Sequence, residues 1–96
     1  MYYRITHARV HPEKYDEAMA TIESLRESIG EISGLISSRL IRTSETEMVG
    51  VAEYESKEHL EASQEEFAEL MSSLMPYMAA PPEISFGEDI FSFDSE

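Results

Sequence analysis

Four short runs have the β-branched and aromatic character of strands: Tyr2–Val10, Leu35–Thr43, Glu47–Tyr54 and Ile84–Phe93. Their apolar side chains fall on both parities. In the first run Tyr3, Ile5 and His7 share one side, while Thr6, Ala8 and Val10 share the other. In the third run Met48, Ala52 and Tyr54 oppose Val49 and Val51. An antiparallel sheet with helices on one face can leave its second face polar, but here both faces call for cover. A chain of 96 residues cannot build a second layer over the bare face. A second copy is the expected cover, which predicts a small homodimer with a cavity between sheet and helices.

The segments between the runs read as helices. After Pro12, a favoured first helical residue, Tyr15, Ala18, Met19, Ile22, Leu25 and Ile29 recur at spacings of three and four. That stripe predicts one helix of about 18 residues, roughly 27 Å long, ending near Gly30 or Gly34. Ser56 is placed to cap a second helix whose apolar stripe is Leu60, Phe67, Leu70, Met71, Leu74 and Met78. Pro76 should make its last turn irregular, and Pro81-Pro82 reads as a stiff extended link into the last strand. A turn at Thr43–Thr46 makes the second and third strands a hairpin, and Gly50 is expected to mark a bulge. Asp94-Ser95-Glu96 reads as a frayed tail. The order strand, helix, strand, strand, helix, strand predicts a single domain, residues 1–96. Its expected class is α+β of the ferredoxin-like β-α-β-β-α-β type, with a four-stranded antiparallel sheet and two helices on one face.

Charge narrows the partners. Twenty acidic against seven basic side chains give a formal net charge of −13. Such a chain repels phosphate backbones and anionic lipid, so neither nucleic acid nor a membrane surface is expected. With no cysteine, thiol catalysis and cysteine-ligated metals are excluded. The start, Met-Tyr-Tyr-Arg, opens straight into a strand, and no long apolar run follows, so a soluble cytoplasmic protein is expected.

Few residues can do chemistry. His7, His11 and His59 show no metal-ligand spacing, so no metal site is expected. If the Tyr3–Ile5–His7 side looks into the cavity, a neutral imidazole there is a candidate catalytic base; the alternative is a core histidine held by a neighbour. Arg39 and Arg42 fall on opposite faces of the second strand, each either a salt-bridge partner or a support for an anionic oxygen on a ligand. Tyr54 reads as a cavity wall residue with its hydroxyl at the mouth. Phe67 and the helix-two methionines, Met71 among them, read as a soft lining or as plain core. No phosphate loop or nucleotide fingerprint is present.

Three stretches carry a family likeness: Val10-His11-Pro12-Glu13-Lys14, then Glu53-Tyr54-Glu55-Ser56-Lys57-Glu58, and Phe67-Ala68-Glu69-Leu70 leading through Leu74-Met75-Pro76-Tyr77 to Pro81-Pro82-Glu83. With them, almost the whole chain resembles the antibiotic biosynthesis monooxygenase family of dimeric α+β barrels. The resemblance implies a cofactor-independent monooxygenase acting on a small aromatic phenol or quinol, with no bound metal or flavin. The family's haem-degrading branch uses a first-strand Asn, a Trp and a helix-two His; this chain has no Trp, and Ser63 follows Ala62 at the last of those positions, which argues against haem chemistry. Under this reading His7 is the base, and Tyr54, Arg39, Phe67 and Met71 contact a small apolar or aromatic ligand. A non-catalytic binding or sensor module, or a structural dimeric domain, fits the same outline.

Overall fold

The computed structural model describes residues 1–95. Strand β1 (Tyr2–Val10) leads through a 3-10 turn at Pro12–Lys14 into α1 (Tyr15–Ser24) and α2 (Arg26–Gly30). Strands β2 (Leu35–Arg42) and β3 (Glu47–Tyr54) form a hairpin. Then come α3 (Lys57–Ala62), α4 (Gln64–Leu74), a 3-10 turn at Met75–Tyr77, and β4 (Met78–Glu88). The sheet order is β2-β3-β1-β4, antiparallel throughout, which is the expected ferredoxin-like arrangement. No helix among the described residues is long and apolar enough to cross a membrane.

Each expected long helix is broken once, and a serine bonded back to the preceding turn sits at each break. The Ser24 hydroxyl donates to the Thr21 carbonyl at 2.6 Å, and the Ser63 hydroxyl donates to the Leu60 carbonyl at 2.7 Å. A serine bonded back to the preceding turn competes with the helical ladder. The next amide after Ser24, that of Leu25, bonds to the Ile22 carbonyl at 3.0 Å, a 3-10 spacing, with Leu25 at φ −95° and ψ 1°. The break before α2 turns Ile29 and Ile32 toward the sheet. As expected, Ser56 caps α3, its Oγ accepting from the His59 amide at 3.2 Å. Pro76 falls in the irregular last turn after α4.

Three sequence expectations shift. The last strand is Met78–Glu88, not Ile84–Phe93, because β1 is long enough to pair with Met78 and Ala80 beyond the prolines. Pro81-Pro82 thus lies inside an edge strand, where a missing N–H is tolerated, and the ladder shifts between His7 and Arg9 and again between Arg9 and Val10 to pass it. Gly50 makes no bulge: it pairs in unbroken register with Thr6 and Leu40, and the β2–β3 irregularity lies between Leu35 and Ser37. Asp94 and Ser95 are exposed; Glu96, the end of the expected tail, lies outside the described residues.

The deepest packing joins the two halves of the chain. Tyr54, Leu60 and Ile32 form a buried cluster, flanked by Tyr2, Leu35, Ala52 and Leu70. Beside it, Gly34 takes φ +80° and packs against the His59 ring, while its carbonyl accepts from the Glu55 amide at 2.9 Å. Only glycine adopts that backbone without strain.

Candidate ligand site

One parity of the sheet faces the helices. Arg4, Thr6, Ala8 and Val10 from β1, with Met48, Gly50, Ala52 and Tyr54 from β3, form the floor of a cavity of about 170 Å³ roofed by α1, α2 and α4. The space has a cause in the sequence. Thr6 pairs with Gly50, so two small residues meet in register, and Arg4 faces only Ala52 across the strands, which leaves the floor low there. A Cβ on Gly50 would meet Thr6 and Leu40 only at ordinary contact distances of 3.7 and 3.8 Å. Ile22, Phe67, Leu70, Met71 and Leu74 supply apolar walls.

The polar end is built on Arg4, which is 2 % exposed. Its Nη1 donates to the Tyr54 hydroxyl at 2.9 Å, and its Nη2 donates to Gln64 Oε1 at 2.9 Å and, at the limit of 3.5 Å, to Ser63 Oγ. Ser63 and Tyr54 oxygens lie 3.0 Å apart. The single Ser63 hydrogen goes to the Leu60 carbonyl, which can only accept, so the Tyr54 hydroxyl accepts from Arg4 and donates to Ser63. The guanidinium carbon lies 3.8 Å from the Phe67 ring centre and 5.4 Å from that of Tyr54. Burial pulls the Arg4 pKa below the ordinary arginine value, and the nearby Tyr54 oxygen partly restores it.

The site residues expected from sequence divide. Tyr54, Phe67 and Met71 line the cavity, and Tyr54 sits at its buried end rather than its mouth, at 1 % exposure. Arg39 also borders the cavity, but it is exposed and pairs opposite Val51, a register that alternation assigns to the outer face, so it stands at the rim. His7 is exposed on that outer face, between Val49 of β3 and Glu83 of β4, and does not line the cavity. Of the two roles open to Arg39 and Arg42, the salt bridge does not form among the described residues; Arg42 instead donates to the Ser44 and Glu45 carbonyls and stacks on Tyr15 at 3.8 Å.

Arg4 is the residue that sequence reasoning missed. Its parity with Thr6, Ala8 and Val10 was the available signal, since that face carries the small residues. On the outer face, the Tyr3 hydroxyl donates to Glu53 at 3.0 Å, and this bond, followed by burial, raises its pKa. A second cleft, between α2 and α4, is lined by Glu31, Glu66 and Glu69, but among the described residues no cluster of three ligands could hold a metal ion.

The family described as "Antibiotic biosynthesis monooxygenase" matches residues 1–68. Among solved structures, the fold is similar to a monooxygenase from the gene ActVA-Orf6 of Streptomyces coelicolor in complex with nanaomycin D (19% identity, TM-score 0.79, 99% of this chain and 92% of that one). It is also similar to a mutant of SnoaB, a cofactor-independent oxygenase from Streptomyces nogalater (12% identity, TM-score 0.80, 98% and 97%). A conserved protein from Methanosarcina mazei Go1 matches at 21% identity and a TM-score of 0.76, over 91% of each chain. No curated protein matches.

Proposed function

Because the chain belongs to the antibiotic biosynthesis monooxygenase family, we propose that it is a cofactor-independent monooxygenase oxidising a small aromatic phenol or quinol. The observation that carries this reading is an apolar chamber between sheet and helices with one hydrogen-bonding end, at Tyr54 and Arg4. Apolar walls hold the ring flat and dry, and the polar end fixes which oxygen leads. Once ionised, the electron-rich ring passes one electron to O₂. Superoxide and the ligand radical join at the activated carbon, and the peroxide loses water. For a ring methylene, CH₂ and O₂ give C=O and H₂O, so O₂ is the only oxidant required. His7, across the sheet, has no path to this ring, and the phenolic proton leaves to solvent through the open side.

Aerobic incubation with a panel of anthrones and hydroquinones should give ligand-dependent oxygen uptake and the corresponding quinones. Ligands that bind with no uptake above buffer would reject the oxidation and leave a binding module. One observation favours that second reading: no His, Asp, Glu or Lys lines the cavity, so no protein base is at hand.

The working form we propose is a cytoplasmic homodimer joined through the outer sheet face. Ile5, Val49 and Val51 form a partly buried apolar strip there, and Ile41 beside them is 49% exposed. Sedimentation at micromolar concentration should show a dimer, with an interface above roughly 1,000 Å² in total. A monomer that gains no larger species on concentration would rule this assembly out.

A further inference from the structure

Arg4 is the feature of the cavity that neither the fold nor the apolar chamber requires. The chain has 20 acidic side chains, yet every hydrogen-bond acceptor around Arg4 is neutral: the Tyr54 hydroxyl, Gln64 Oε1 and Ser63 Oγ. A guanidinium carries five N–H donors. Those contacts leave Nε and the second Nη1 hydrogen over, and Nε is buried without a partner. Removing a cation from water without a counter-charge is unfavourable, and the ordinary remedy is an adjacent carboxylate. Phe67 and Tyr54 offset part of that cost through their ring faces but do not neutralise the charge.

We propose that the ligand supplies the missing counter-charge: the cavity takes a flat aromatic monoanion whose acidic oxygen group, phenolate or carboxylate, sits against Arg4 while its ring lies among Phe67, Leu70 and Met71. This rests on the cavity being the ligand site, as in the function proposed above, but not on any oxidation. Size agrees, since a cavity of about 170 Å³ is close to the roughly 150 Å³ that accepts a benzene ring. Charge agrees as well. The net −13 of the chain repels polyanions, so the best occupant carries a single charge in an apolar body. A guanidinium keeps its proton at any pH the protein meets, so Arg4 favours the ionised form of the ligand and makes up for the missing base.

The test uses the whole wild-type chain and three probes: 2-naphthoate, the neutral ketone 2-acetylnaphthalene, and 4-nitrophenol, whose ionised form alone absorbs visible light. Naphthoate should bind about tenfold or more tightly than the ketone, and bound 4-nitrophenol should ionise at lower pH than free. Arg4→Met should weaken naphthoate about tenfold or more and the ketone, which loses only a neutral hydrogen bond, by much less, so that the preference disappears; Arg4→Lys should keep part of the preference. If neither variant folds, the wild-type preference alone decides. Preference in one assay only supports the proposal and identifies the acid, carboxylate or phenol. Preference in neither overturns it while the ketone's binding keeps the ligand site. Binding of no probe overturns both. An acid preference without oxygen uptake on hydroquinones upholds the role of Arg4 and removes the oxidation.

Discussion

Gly34→Ala should cost the folded chain about 2–4 kcal/mol, a large loss for one added methyl group. Two effects combine. At φ +80° an L side chain meets the following carbonyl, at about 1–2 kcal/mol. The new Cβ would also overlap the His59 ring, which is held between the Ser56 hydroxyl, 2.7 Å from Nδ1, and Glu55, 3.6 Å from Nε2. Relief requires the ring to leave that position or the Gly34 carbonyl to release the Glu55 amide, and either move loosens the entry to α3. Equilibrium urea unfolding followed by circular dichroism measures the loss. The double variant Gly34→Ala, His59→Ala separates the parts: it should relieve the overlap and keep the backbone cost. A single variant within about 0.5 kcal/mol of wild type would contradict both the left-handed backbone and the close approach.

Tyr54→Ala should be at least as damaging, at about 3–5 kcal/mol. The ring is 1 % exposed and joins Ile32 to Leu60, so its loss empties the contact between the strand hairpin and α3. The hydroxyl is a separate matter. Tyr54→Phe keeps the packing but takes from Arg4 its 2.9 Å acceptor and from Ser63 a donor, at about 1–2 kcal/mol. The ratio of the two losses, read from urea midpoints at constant slope, is the diagnostic. Equal losses would place the importance of Tyr54 in its hydroxyl; a wild-type-like Ala variant would remove it from the core.

The fold was legible because its signals are local and repeated. Period-2 runs, the stripes in the helices and the Ser56 cap are each readable within a few residues, and they agree on one order of elements. The helix breaks were not, since Ser24 and Ser63 look like any surface serine until their hydroxyls turn back on Thr21 and Leu60. The site was half legible. Alternation separates His7 from Thr6 and Ala8 but does not say which set lies under the helices, because both sets carry apolar residues. Side-chain size across paired strands holds that information: Thr6, Ala8, Gly50 and Ala52 share a face and leave room, whereas Ile5, Val49 and Val51 fill theirs. Register is needed to see it, and register is a property of two strands at once. Arg4 was hidden for a different reason, since an arginine near a chain start reads as solvated until its burial is known.

The consecutive prolines of β4 bear on how copies of this chain can accumulate. A strand at the end of a sheet is a template for another strand, and such growth leads to fibres and precipitates. Backbone hydrogens alternate in direction along a strand, so with Pro81 and Pro82 side by side, one of the two missing hydrogens lies on the open side. The twin register shifts next to them bend the same stretch, and an incoming strand finds a ladder with missing rungs. At the opposite border, β2 carries Arg39 and Arg42, charges that a docking strand would have to bury or push aside. Both borders of the sheet therefore resist growth by strand addition, so association of copies is directed away from the edges and onto the faces of the sheet.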